Sequence, residues 1–182
     1  KGGGHGDYRL ITLAPNSVQE MVDFVGLGLE LAFKYRNPAL ILSDGIIGQM
    51  MEKVILPPFK KRRTEDEIRK QCPWATLGRK GGRQPNIITS LELDSAVMEQ
   101  NNLRFQKKYA EIEANEVRYE EYQTEDADYI LVAFGSSARI CNKTVQLARQ
   151  QGIKAGILRP ITLWPFPTKE IAKLADRAKG SL

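Results

Sequence analysis

Apolar and polar positions divide the 182-residue chain into three textures. In the first, Arg9–Leu13 (RLITL) is a short β-branched and aliphatic run that predicts a strand. Ala14-Pro15-Asn16 turns the chain, and Ser17 followed by Glu20 has the spacing of a capping box, so a helix is expected to begin there. Val18, Met21, Val22, Val25, Leu29, Ala32 and Phe33 recur at helical steps. Leu27 and Leu31 widen that face, which predicts a largely buried helix. Gly26 and Gly28 lower its helix propensity and suggest a close approach to another backbone. Asn37-Pro38 ends it. Ala39–Leu42 then reads as a second strand without polar interruption, as in a parallel sheet covered on both faces. Strand, helix, strand implies a right-handed parallel crossover.

The second texture, from Phe59, is basic and punctuated by Pro73, Pro85 and Gly81-Gly82, and it predicts an irregular excursion. From about Leu91 to Glu120, Met98, Phe105, Tyr109, Ile112 and Tyr119 recur at helical steps among charges. An amphipathic linker helix is expected there, with an acidic end from Glu111 to Asp128 that complements the basic stretch. The third texture opens on the apolar strand Tyr129–Phe134. Gly135-Ser136-Ser137 turns into a helix that Gly152 stops, and Ile153–Leu158 is the next strand. Thr162–Pro167 (TLWPFP) is extended and its aromatics suit docking on a neighbouring surface. A last helix is expected over Thr168–Ala178 with Thr168 as its N-cap. Two strands make too small a sheet to stand alone, so more are expected to follow in a longer chain or to be supplied elsewhere.

Composition adds exclusions. No run approaches the roughly 20 apolar residues that span a bilayer, and the glycine-rich start lacks the apolar core of a secretory signal. The absence of a starting methionine and the ending at Gly180–Leu182 predict a fragment of a longer chain. Two cysteines and one histidine cannot supply a four-ligand iron–sulfur or zinc site, and thiols without a framework fit a reducing cytoplasm. The net charge is +5, and Phe59–Arg83 carries nine basic residues against three acids. Without interleaved aromatics that stretch is weak grounds for expecting nucleic acid.

Three places can carry chemistry. Gly2-Gly3-Gly4-His5-Gly6-Asp7 combines a polar histidine with glycines that admit a ligand to the backbone, or is simply a frayed end. Asp44-Gly45 follows a strand at the end where parallel sheets bind ligands, or is simply a turn. Gly135-Ser136-Ser137 opens a helix in the geometry that presents amides to an anion, but lacks a P-loop lysine and a dinucleotide fingerprint. Arg159-Pro160 to Pro167 has no evident chemistry of its own. These features alone describe an α/β protein of two small parallel-sheet units joined by a charged linker.

Taken together, three segments resemble the α subunits of 2-oxoacid:ferredoxin oxidoreductases. They are His5-Gly6-Asp7-Tyr8-Arg9 running into Leu13–Glu20, Tyr35-Arg36-Asn37-Pro38 leading to Ser43-Asp44-Gly45, and Gly152–Pro160 continuing to Leu163–Pro167. The glycine-rich start is most similar to the 2-ketoisovalerate type. The resemblance implies an α/β, parallel-sheet protein. Residues 1–58 would be the C-terminal part of a pyrimidine-type thiamine diphosphate domain, 59–126 the basic excursion and linker helix, and 127–182 an incomplete transketolase C-terminal-like domain. It also implies thiamine diphosphate and Mg2+ shared with another subunit, and iron–sulfur clusters on other subunits. Partners would be β and γ/δ subunits, ferredoxin, coenzyme A and a 2-oxoacid, with no membrane or nucleic acid. The implied reaction is oxidative decarboxylation of the 2-oxoacid to an acyl-CoA.

The resemblance places substrate near Gly4, His5, Gly6 and Asp7, and cofactor near Asp44 and Gly45. The glutamate that activates the cofactor is expected upstream of Lys1, no metal ligand is assigned here, and this stretch alone is expected to be inactive. The rival expectation is a non-catalytic interaction module that binds an acidic partner or RNA through residues 59–83.

Overall fold

The computed structural model describes residues 5–6, 8–76, 78, 82, 84–89 and 91–181. In chain order the elements are β1 (Ile11–Leu13), α1 (Val18–Tyr35), β2 (Ala39–Ile41), α2 (Gly45–Gln49), α3 (Glu65–Gln71), α4 (Ser95–Asn115), β3 (Tyr119–Tyr122), β4 (Tyr129–Val132), α5 (Gly135–Gln150), β5 (Ala155–Pro160), β6 (Thr162–Trp164), α6 (Thr168–Arg177) and β7 (Gly180–Ser181). They fall into two compact units, one of Lys1–Leu56 with Phe105–Leu182 and one of Pro57–Arg104. No helix among the described residues is long and apolar enough to cross a membrane.

The larger unit holds two sheets. In the first, β1 and β2 are parallel, Ile11 opposite Ala39, with α1 as the crossover. β6 then pairs antiparallel with β1, Thr12 opposite Trp164, giving the order β2-β1-β6. The TLWPFP segment therefore docks as expected, but as a strand that returns to the first sheet. Its Trp164 ring meets Tyr109 edge-on at 5.7 Å and 89°. Around that contact pack Ile11, Leu31, Tyr35 and Ile112. A T-shaped pair adds about 1 kcal/mol beyond its buried area.

The second sheet has four strands, β3-β5-β4-β7, where the pattern predicted two. All six β5 residues are buried because helices cover both faces. On one face Leu174 of α6 packs with Ile130 and Leu158. On the other, Ala138 and Val145 of α5 pack with Ala155 and Ile157. Burying side chains such as Ile157 and Leu158 stabilises by roughly 1.5–3 kcal/mol each.

Several expectations change. The linker helix stops at Asn115, and Tyr119 lies in β3 instead. β3 has no buried residue and pairs antiparallel with β5 at the sheet's edge, so Glu120 and Glu121 sit on a charged edge strand of the kind that resists further pairing. Aromatic residues at helical spacing from the helix do not distinguish these two outcomes. Helix α6 begins at Thr168, but the cap position is Pro167 and has no side-chain cap. The basic excursion contains a short helix, α3, held by a full capping box between Thr64 and Glu67. On α1 only Phe24, Gly28, Leu31 and Tyr35 are buried, whereas Val25, Leu29 and Phe33 stay more than half exposed. One face of the helix meets the sheet, and apolar residues lie on both. An added Cβ at Gly28 would make ordinary contact with Ala39, and one at Gly26 would meet open space.

Candidate functional site at the carboxyl edge of the parallel strands

Three loops leave the carboxyl ends of parallel strands: residues 14–17 after β1, 42–44 after β2 and 133–134 after β4. The fold brings them together. Asp44 is the N-cap of α2, where its Oδ1 accepts from the Ile47 amide at 2.9 Å. Its Oδ2 accepts from the Ser136 amide, also at 2.9 Å, at the start of α5. The two candidate loops that lie 92 residues apart in sequence are thus one structure. Gly135 has φ +60°, and a Cβ there would sit 3.1 Å from Asp44 Oδ2 and 3.9 Å from the Pro15 carbonyl oxygen. A left-handed backbone against two neighbouring loops explains the glycine.

The loop after β1 is held at every side. Ser17 Oγ accepts from the Glu20 amide at 3.1 Å, and Glu20 Oε2 accepts from the Asn16 amide at 2.8 Å. The capping box therefore reaches one residue further back than the usual form. Arg139 of α5 donates to the Asn16 carbonyl at 3.1 Å and pairs with Glu52 at 2.7 Å. The other Glu52 oxygen accepts from the Val18 amide at 3.0 Å. From β5, the Arg159 guanidinium grips Glu20 with both Nη atoms, pairs with Glu120 at 2.8 Å and donates to the Ala14 carbonyl at 3.3 Å.

Electrostatics follow from these partners. Backbone amides of Ile47 and Ser136 hold the Asp44 carboxyl below the usual carboxylate range. Arg139, and then the Val18 amide, do the same for Glu52. One first-turn amide of each helix, Val18 of α1 and Ser136 of α5, is consequently met by one of the protein's own carboxylates. An incoming phosphate would have to displace a carboxylate to reach either of these two amides.

His5 and Gly6 are exposed, and Gly6 has φ +99° with the Tyr8 ring beside it. Gly4 and Asp7 lie outside the described residues. His5 precedes the amino end of β1, whereas Asp44-Gly45 follow the carboxyl end of the parallel β2, and no hydrogen bond joins the two sets among the described residues. Arg159, Arg139 and Glu52 were not singled out from sequence. One signal was available for Arg159: a charged residue inside the apolar run Ala155–Pro160 has to find a buried partner. Glu52 carries no such mark.

The two sheets of the larger unit bring three loops together at the carboxyl ends of parallel strands, where open α/β folds bind their ligands. Residues 5–127 match the family described as pyruvate flavodoxin/ferredoxin oxidoreductase, thiamine diphosphate-binding, and residues 127–182 match pyruvate:ferredoxin oxidoreductase core domain II. The chain belongs to this family, the 2-oxoacid:ferredoxin oxidoreductases, as the sequence resemblance implied. It is 51% identical over 176 residues to a ketoisovalerate oxidoreductase subunit VorB from Methanothermobacter marburgensis, covering 97% of this chain and 48% of the relative. A 2-oxoglutarate synthase subunit KorA from the same organism is 31% identical over 200 residues, covering 99% and 53%. In fold, the chain resembles a 2-oxoglutarate:ferredoxin oxidoreductase from Magnetococcus marinus, solved with 2-oxoglutarate, coenzyme A and succinyl-CoA bound. That likeness has a TM-score of 0.76 and 23% identity, over 98% of this chain and 35% of the other. The chain spans about half the length of the curated relatives it matches.

Proposed function

We propose that this chain forms one wall of the thiamine diphosphate site in a 2-oxoacid:ferredoxin oxidoreductase that acts on 2-ketoisovalerate. The observation that carries the substrate is the gap in identity, 51% to a ketoisovalerate oxidoreductase subunit against 31% to a 2-oxoglutarate synthase subunit over nearly the same residues.

The converged loops fit one part of the cofactor better than the other. Asp44, Glu20 and Glu52 have their charges met by amides and by Arg139 and Arg159. The neighbouring Leu42, Ile46 and Phe134 are 44%, 63% and 46% exposed. A charge-balanced edge with exposed apolar neighbours suits a neutral aromatic ring. It suits a diphosphate less well, because the Val18 and Ser136 amides are already taken by carboxylates. Among the described residues no group of three His, Cys, Asp or Glu side chains is placed to hold a metal ion. On this reading Asp44 and Gly45 hold the loop against the pyrimidine end, and another subunit holds the diphosphate and its Mg2+. His5 and Gly6, which enter β1 at its amino end, are the candidates for the 2-oxoacid end of the site. When bound, the cofactor supplies the electron sink for decarboxylation. This chain's residues orient it and exclude water. Two cysteines cannot ligate an iron–sulfur cluster within these residues, and on this reading the clusters lie on other subunits. Those subunits pass electrons to ferredoxin and present coenzyme A.

The test is the full complex with pyruvate, 2-oxoglutarate and 2-ketoisovalerate, each with coenzyme A, following viologen reduction. The highest kcat/KM is expected with 2-ketoisovalerate. A preference for another oxoacid overturns the substrate, and no reduction with any of them overturns the enzyme reading.

A further inference from the structure

Arg159 is 2% exposed, yet it is the most heavily partnered side chain at the carboxyl edge. A buried guanidinium is costly unless paired, and a hydrophobic residue of similar size in β5 would serve packing equally well. Its contacts are not distributed as a packing role requires. Both Nη atoms go to Glu20, whose Oε2 also holds the Asn16 amide, and one Nη reaches the Ala14 carbonyl. Arg159 thus acts on both ends of the Ala14–Asn16 turn, once directly and once through Glu20. The Pro15 carbonyl within that turn faces Gly135, which in turn faces Asp44. The planar, five-donor guanidinium can grip one carboxylate with two N–H groups and still reach a second carboxylate and a carbonyl. A lysine cannot.

Resting on the cofactor reading above, we propose that Arg159 is a positioning residue of the thiamine diphosphate site. It sets the Ala14–Asn16 turn, and through Pro15, Gly135 and Asp44 the spacing of the three loops that receive the cofactor ring. It touches neither cofactor nor substrate itself.

The experiment uses the full complex stripped of cofactor, with thiamine diphosphate and Mg2+ titrated back and binding read by calorimetry. Arg159→Lys keeps the charge but not the fork. Arg159→Met with Glu20→Gln removes the charges at both ends of the grip, while the glutamine oxygen still accepts from the Asn16 amide. The double variant is expected to assemble with a melting temperature near wild type and Arg159→Lys with a lower one, and both to bind cofactor with Kd raised about tenfold. Wild-type Kd in Arg159→Lys overturns the proposal and leaves Arg159 a structural ion pair. If the double variant regains both stability and wild-type Kd, the positioning role is likewise overturned. A wild-type complex that binds no thiamine diphosphate overturns the cofactor reading itself, which no variant result does.

Discussion

Asp44 joins two helices at once: one carboxylate oxygen caps α2 through Ile47, and the other takes the Ser136 amide at the start of α5, 2.9 Å in each case. A side chain that follows β2 thereby takes one of the first-turn amides of the helix that follows β4.

Replacing Asp44 with Ala is expected to release both amides. Hydrogen exchange at Ile47 and Ser136 in the full-length subunit should speed up roughly fivefold or more, by the usual strength of an N-cap. Asn offers one acceptor oxygen in place of two and should protect only one of the amides. Unchanged exchange at Ser136 in Asp44→Ala would show that the two loops are held together by other means.

Gly156 and Gly26 predict opposite signs. A Cβ on Gly156 would lie 2.5 Å from the Gln123 carbonyl oxygen and 3.0 Å from Thr124 Cα, all backbone that cannot yield cheaply. Gly156→Ala should cost about 1–3 kcal/mol or more. Gly26 sits inside α1 with nothing within 4 Å of its virtual Cβ. Gly26→Ala should therefore stabilise by up to about 1 kcal/mol. Urea midpoints of the two variants, moving in opposite directions from wild type, are the check.

Acid should loosen the fold by a defined route. Asp44, Glu52 and Asp126 all have carboxyls held below their ordinary range, by backbone amides in the first case and by Arg139 and Arg149 in the others. Burial pushes the Glu116 carboxyl up, but hydrogen bonds from Lys34 and Tyr35 outweigh it and leave the net shift downward. A depressed folded pKa means the unfolded chain takes up protons first as pH falls. The stabilisation is complete above the ordinary carboxylate values of about 4 and is lost progressively below them. Melting temperature should accordingly hold level from about pH 7 to pH 5 as far as these groups are concerned, then fall steeply below about pH 4. The double variant Asp44→Asn, Glu52→Gln should show a shallower acid limb, and an unchanged limb would assign the acid sensitivity elsewhere.

His5 is the sharpest test of the substrate end. His5→Gln in the full complex should lower kcat/KM for the 2-oxoacid by about tenfold or more, the usual effect of losing a hydrogen bond to a charged group. Unchanged kinetics would take His5 out of the site.

Much of the fold is legible along the chain because it rests on local periodicity. The α1 span follows from Ser17, Glu20 and Asn37-Pro38, and both parallel pairs follow from apolar runs separated by a helix. What local pattern misses are elements defined by a distant partner. β3 is a strand only because β5 accepts it, and Tyr119 at the end of a helical series reads equally well as helix. β6 is extended in either reading, but its pairing with β1 lies some 150 residues away.

The sequence by itself determined the family, through short motifs whose order and spacing span nearly the whole chain, and the α/β class, through hydrophobic periods of the right lengths. Only the tertiary structure decided what the candidate residues do. It turned Asp44-Gly45 and Gly135-Ser136 from two separate loop signals into one junction. It also gave Arg159, which stands in an apolar strand with no chemistry of its own, three partners from Ala14, Glu20 and Glu120. The physical reason is that charge pairing and capping act over a few ångströms in space. Residues separated by 92, 139 or 145 positions leave no periodic trace of meeting until the sheets have packed.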